Sequence, residues 1–216
     1  MTTVYLIRHV QAQGNVDRVF QGHYDGKVSE LGRRQLERLG EACKELHFDC
    51  IYSSPLSRAR ETAKAANTYY NYPIQIDEGL IEINGGDWEQ QKWSSFSKRD
   101  PEQAENWHLR PYEFCAPNGE AMKDVYTRIQ QAVLRIVENN KDKTICIVSH
   151  GGVLSCFFNW AMGRKPEELS KATICDNAAI SKAVFDENLH PTLAYFNNTE
   201  HLGDALSVSA SRLWKA

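Results

Sequence analysis

The chain has 216 residues, six cysteines and seven histidines, and 25 basic against 28 acidic residues leave a formal net charge of −3. That length buries a sizeable core without disulfide or metal staples. The near balance of charge argues against nucleic acid or an anionic membrane as a general partner, so any anion recognition must be local.

The first residues, Met1-Thr2-Thr3-Val4-Tyr5, lead straight into an apolar run at 3–8 that ends in Arg8-His9. No signal peptide is expected, and no run is long enough to span a bilayer, which points to a cytoplasmic protein. Residues 30–47 carry Leu31, Leu36, Leu39, Ala42, Cys43 and Leu46 near a helical period, with Ser29 as N-cap. A strand at 49–53 precedes Pro55 and an Ala-rich helix at 57–70, and a short strand follows at 74–76. Residues 87–118 break the pattern. They hold Trp88, Trp93 and Trp107, with Phe96, Tyr112 and Phe114, among polar residues and prolines. This is too aromatic for a disordered linker and is read as a folded insertion or lid. A helix at 119–139 presents Val125, Ile129, Ala132, Val133 and Ile136 on one face. The run 144–149 ends at His150, and a helix at 152–162 follows at once. Strands at 178–185 and 192–196 are joined closely enough for a hairpin.

Strands alternating with helices predict βαβ units: an α/β, three-layer αβα fold whose mainly parallel sheet has an antiparallel edge strand. The expectation is one domain over residues 1–216 with its insertion at about 87–118. No cysteine lies in a C-x-x-C pair, so all six are read as free thiols in a reducing compartment.

Two buried strands that each stop at a histidine would place Arg8, His9 and His150 at one edge of the sheet, where open α/β sheets bind ligands. An arginine with two imidazoles suits a phosphate, one imidazole acting as nucleophile. Asn15 and Gln21-Gly22 follow in the next loop, with side chains and a backbone suited to phosphate oxygens. Arg58 falls in the first turn of the helix after Pro55, where a helix N-terminus also attracts anions. Glu82 stands alone among apolar residues, and burial there would favour its protonated form. His23, His47, His108, His190 and His201 lack such context and are read as surface or satisfied histidines.

Taken together, Leu6-Ile7-Arg8-His9, Asn15, Gln21-Gly22, Ser29-Glu30-Leu31-Gly32, Tyr52-Ser53-Ser54-Pro55-Leu56-Ser57-Arg58-Ala59, Glu82 with Trp88-Glu89, Gly119-Glu120 and Ser149-His150-Gly151-Gly152-Val153 resemble the histidine phosphatase superfamily. That group includes the cofactor-dependent phosphoglycerate mutases, and the resemblance implies a phosphoglycerate mutase-like fold. It also implies roles. His9 would be the nucleophile, and Arg8, Arg58 and His150 would hold the phosphoryl oxygens. Glu82 would be the proton donor, and Asn15, Gln21, Gly22 and the Gly151 backbone would line the phosphate end.

The chain departs from the family at Val10, where a glycine is usual, and at Ala121, where many members have serine. Val10 is expected to narrow the pocket or alter its loop. Around Glu82 and after His150 the chain differs from the mutases, and it lacks their paired arginines. The reading is therefore a cofactor-independent phosphomonoesterase of the histidine acid phosphatase type, acting on a small phosphorylated metabolite without metal. A phosphoglycerate mutase and a non-catalytic phospho-ligand binding protein are the alternatives.

Overall fold

The computed structural model describes residues 1–208. Among them, β1 (Thr2–Arg8), β2 (Cys50–Ser53), β3 (Ile74–Ile76), β4 (Thr144–Ser149), β5 (Ile180–Phe185) and β6 (Pro191–Asn198) form one sheet in the order β3-β2-β4-β1-β5-β6. The first four strands of that order run parallel, and β5 and β6 run antiparallel at one side. The antiparallel edge is thus two strands deep, a hairpin whose inner strand pairs with β1.

β1 and β4 read as continuous apolar runs because both of their faces are covered. Val4 and Leu6, with Ile145 and Ile147, pack against α6 (Met122–Glu138) and α7 (Gly151–Ala161). Tyr5 and Ile7, with Cys146 and Val148, pack against α2 (Glu30–Cys43) and α3 (Ser57–Ala66). The predicted stripe Val125, Ile129, Ala132, Val133 and Ile136 lies wholly in the first of these cores. All six cysteines carry free thiols. None of the described helices is long and apolar enough to cross a membrane.

Helix ends differ from the sequence expectation for local reasons. Ser29 caps α2 as predicted, its Oγ accepting the Gly32 N–H at 3.0 Å. The helix stops at Cys43, short of residue 47. There the Tyr70 hydroxyl donates to the Cys43 carbonyl at 2.7 Å and accepts the His47 N–H at 2.9 Å. Helix α3 stops at Ala66, short of residue 70. The Asn67 amide there bonds both backbone groups of Tyr72, at 3.0 and 2.8 Å, which turns the chain.

Residues 87–118 fold into short pieces, chiefly α4 (Phe96–Arg99) and α5 (Pro101–Leu109) with single helical turns on either side. Helix α1 (Gln13–Asp17) lies in the loop after β1, and Phe20 follows it. The Phe20 ring contacts Trp88, Trp93, Phe96, Trp107 and Phe114, with centroids 5.0 to 6.4 Å apart. Trp88 and Phe96 stack at 3.6 Å. Burial here is carried by scattered rings rather than one helical face, which is why no period shows in the sequence. Phe114 is fully buried in this cluster. Phe114→Ala should lower the unfolding free energy by about 3–5 kcal/mol. Urea denaturation would show this as a lower midpoint with an unchanged slope.

Candidate active site

Parallel pairing of β1 with β4 sets Arg8 opposite Ser149. The His9 N–H continues the ladder, donating to the Ser149 carbonyl at 3.0 Å. His9 and His150 therefore leave adjacent strands at the same level, and their rings lie 5.1 Å apart. The Asn177 side chain donates to the His9 carbonyl at 2.9 Å and holds this turn from the β5 side.

His9 Nδ1 lies 2.6 Å from the Val10 carbonyl. A carbonyl only accepts, so in the neutral ring Nδ1 carries the proton and Nε2 keeps its lone pair. His150 Nε2 bonds the Ser54 hydroxyl at 2.7 Å, and its buried Nδ1 has no protein partner.

Arg58 is fully buried in the first turn of α3. Its Nη1 donates to the Tyr24 carbonyl and its Nη2 to the Gly22 carbonyl, both at 2.8 Å. Glu89 grips the same loop from the other side. Its carboxylate accepts backbone N–H groups of Gly22, His23, Tyr24 and Gly85 at 2.8 to 3.1 Å. A Cβ on Gly22 would lie 2.1 Å from the Ile83 carbonyl oxygen, so only glycine fits there.

Glu82 is 8% exposed. Its neighbours in sequence are apolar, but its carboxyl is not in apolar surroundings. It accepts the N–H groups of Ile83 at 3.1 Å, Gly152 at 3.0 Å and Val153 at 3.1 Å, at the N-terminus of α7. The sequence argument from apolar burial therefore does not describe this group. A Cβ on Gly152 would come within 2.8 Å of Glu82 Oε1, so that glycine lets the carboxyl approach. Arg128 donates to the Gly79 and Ile81 carbonyls at 3.0 and 2.8 Å and pairs with both oxygens of Glu120 at 2.9 Å. Glu120 in turn accepts the Asn84 N–H at 3.3 Å. The Glu82 loop is thus held on both sides.

Sequence reasoning gave Glu89, Glu120, Ser54, Arg128 and Asn177 no role. Arg128 left a signal: it falls three residues after Val125 and four before Ala132, beside the buried stripe of α6.

Arg8, His9, Asn15, Gln21, Glu82 and Gly151 line one cavity of about 70 Å³, closed by Phe20, Trp93 and Trp107. Arg58, His150 and Gly22 are buried beside it and are not among its lining residues. Asn15 Oδ1 accepts the Ala12 N–H at 3.0 Å, which fixes that side chain. Arg8 Nη1 donates to the Cys175 carbonyl at 2.6 Å. Of the seven buried side-chain polar atoms without a hydrogen-bond partner in the described residues, five are here: Arg8 Nε, Arg58 Nε, His150 Nδ1 and both amide atoms of Gln21. Leaving such groups unpaired costs about 1–3 kcal/mol each, so their clustering around His9 fits an anionic ligand.

Val10 does not narrow the cavity. Its side chain is fully buried against Val28, Ala178, Leu202 and Leu206, away from the site. Ala121 begins α6 without a side-chain cap. Of the five histidines read as surface or satisfied, His23 has a partner here, its Nε2 bonding the Glu82 carbonyl at 2.9 Å. Among the described residues no group of three or more His, Cys, Asp or Glu is placed to hold a metal ion.

Burial, then the charges of Arg58 and Arg8, hold the His9 imidazole well below the usual histidine range. Burial and then Arg58 do the same for His150. Both rings are thus neutral in the folded protein near neutrality. The unfolded chain takes up protons as pH falls below about 6.5 while the folded chain does not. Stability is therefore full above that pH and declines below it, by up to about 1.4 kcal/mol per pH unit for each histidine. The urea midpoint should fall between pH 7 and pH 5, with a shallower fall in His150→Gln. Identical pH slopes for the two proteins would show that His150 is not held neutral.

The histidine phosphatase superfamily (branch 1) model matches residues 4–199. Phosphoserine phosphatase 1 of Hydrogenobacter thermophilus is 29% identical over 206 residues, covering 94% of this chain and 96% of that one. The solved structure of Bacillus stearothermophilus YhfR superposes with a TM-score of 0.88 at 30% identity, covering 93% of this chain and 99% of that one. A phosphoserine phosphatase from Entamoeba histolytica, solved in complex with phosphoserine, gives a TM-score of 0.83 at 27% identity, covering 94% and 100%. The family match takes in both histidine-bearing strand ends and the Glu82 loop, and the chain belongs to the histidine phosphatase superfamily, branch 1.

Proposed function

We propose that the protein is a phosphomonoesterase of the histidine acid phosphatase type, hydrolysing small-molecule phosphate esters through a phosphohistidine at His9. The observation that carries this reading is the set of unpartnered Arg8, Arg58, His150 and Gln21 groups gathered around an imidazole whose Nδ1 proton is already assigned. His9 Nε2 attacks phosphorus, the bond to the leaving oxygen breaks, and Glu82 passes a proton to that oxygen. The Val10 carbonyl receives the Nδ1 proton's hydrogen bond throughout and steadies the ring as it gains positive charge. Arg8 and Arg58 offset the charge that moves onto the transferring oxygens. Water then attacks the phosphohistidine while Glu82 takes its proton. The N–P bond breaks, inorganic phosphate leaves, and neutral His9 returns. Each step is easier than direct hydrolysis.

Both phosphatases and phosphoglycerate mutases are among the similar proteins, so the family membership does not separate the two activities. The surface position of Arg110 favours the phosphatase: it pairs with Glu105 and Glu113, and among the described residues of the aromatic segment it has no second arginine beside it to hold another phosphate.

Protein quenched in alkali after a pulse of labelled substrate should carry phosphate that acid releases. His9→Ala should carry none and lose a factor on the order of 10³–10⁶ in kcat. Full activity in His9→Ala would exclude the mechanism. Glu82→Gln should slow enzyme phosphorylation by roughly 10²–10⁴ with an alkyl phosphate and far less with p-nitrophenyl phosphate, whose leaving group needs no proton. Equal single-turnover losses for the two substrates would leave Glu82 with a positional role.

A further inference from the structure

The part of the active-site cavity lining not made by Arg8, His9, Asn15, Gln21, Glu82 and the two glycines is apolar. Val19, Phe20, Ile83, Trp93, Trp107 and Ile174 form it. The rings of Phe20, Trp93 and Trp107 contact one another, with centroids 5.0, 5.5 and 5.1 Å apart. Phe20, Ile83, Trp107 and Ile174 are buried and Val19 and Trp93 are half-buried, so these side chains form a largely buried apolar surface.

The charges in the cavity point the same way. Arg8 is the one cation among its lining residues and Glu82 the one acid. Arg8 belongs to the phosphate end, where Gln21 and Asn15 supply the neutral donors. Three cations near the aromatic wall are engaged elsewhere. Lys92 bonds the Asp17 carbonyl, Arg99 bonds Gln91, and Arg110 pairs with Glu105. A substrate carboxylate close to the ester oxygen would meet Glu82 and apolar side chains, with no lining cation besides the Arg8 that the phosphate engages. Burying a charge without a partner is strongly unfavourable.

We infer that the site selects phosphate esters of uncharged, largely apolar alcohols, with the alcohol lodged against Phe20, Trp93 and Trp107, and discriminates against esters such as phosphoserine and phosphoglycerate that carry a carboxylate. This selection rests on the phosphomonoesterase reading of the same site. It separates this chain's substrate from the one named for its phosphoserine phosphatase relatives. The phosphate end needs none of the wall residues, so chemistry and selection are carried by different groups.

The test compares kcat/KM for n-hexyl phosphate, L-phosphoserine and 3-phospho-D-glycerate. The hexyl alcohol is the poorer leaving group, so a preference for its ester reports recognition rather than intrinsic reactivity. The expected ratio over phosphoserine is about 10- to 100-fold, the range for a few methylenes in an apolar pocket set against an unpaired polar group. Val19→Arg places a cation at the half-buried rim and should shift that ratio at least about tenfold toward phosphoserine. Equal or faster turnover of phosphoserine by the unaltered protein would overturn the selection while leaving the phosphatase reading intact. Calorimetric binding of n-hexylphosphonate against 2-amino-3-phosphonopropionate tests recognition without turnover. Preferential hexylphosphonate binding with no hydrolysis of any ester would support the selection and overturn the phosphatase reading. Preferential binding of the amino acid analogue would overturn the selection.

Discussion

Parallel pairing of β1 and β4 forces His9 and His150 into one buried layer, with Arg8 beside them and Arg58 behind. The other features of the site answer to that constraint. Two imidazoles and two guanidinium groups cannot all be charged in so small a dry volume, because like charges and desolvation both oppose it. The arginines keep their charge, and the imidazoles are driven neutral. Neutrality leaves each ring a nitrogen lone pair, which the phosphohistidine proposed at His9 requires. The Val10 carbonyl then decides which nitrogen is free.

Much of the site's precision comes from main-chain hydrogen bonds made by side chains that need not touch a ligand. Arg58 reaches the carbonyls of the loop at 22–24 and Glu89 reaches its N–H groups, so one loop is held by opposite charges on opposite backbone atoms. Arg128 with Glu120 treats the loop at 79–84 in the same way. Glu82 takes part in this bracing too, because its carboxyl stitches the β3 side of the sheet to the first turn of α7. Bracing of this kind keeps reacting groups within a fraction of an ångström of the required geometry, where small misplacements are costly.

The aromatic segment links fold to site. Phe20 comes from the loop that follows His9, and its partners come from residues 88–114. The same rings that bury this irregular stretch also wall the cavity. Packing and the shape of the cavity are therefore not separable here: a change that loosens the cluster also changes the cavity wall.

The residues alone determined the elements whose signal is local. Apolar runs ending at His9 and His150, the stripe of α6 and the Ser29 cap depend on period and on neighbouring residues, and all are where the sequence puts them. The family motifs likewise pointed to Arg8, Arg58, Glu82 and Gln21, and the fold brings these side chains close to His9. Tertiary structure decided what depends on partners distant in sequence. The early ends of α2 and α3 rest on Tyr70 and on the Asn67 turn. Val10 points into a small cluster with Val28 and Leu202 rather than into the cavity. Glu82 has backbone N–H groups around its carboxyl where its sequence neighbours suggested an apolar pocket. The bracing residues Glu89, Glu120 and Arg128 act on main-chain atoms, and any loop supplies those whatever its sequence. A sequence motif or a place beside a buried stripe marks these residues, but which backbone atoms they hold appears only once the chain has closed on itself.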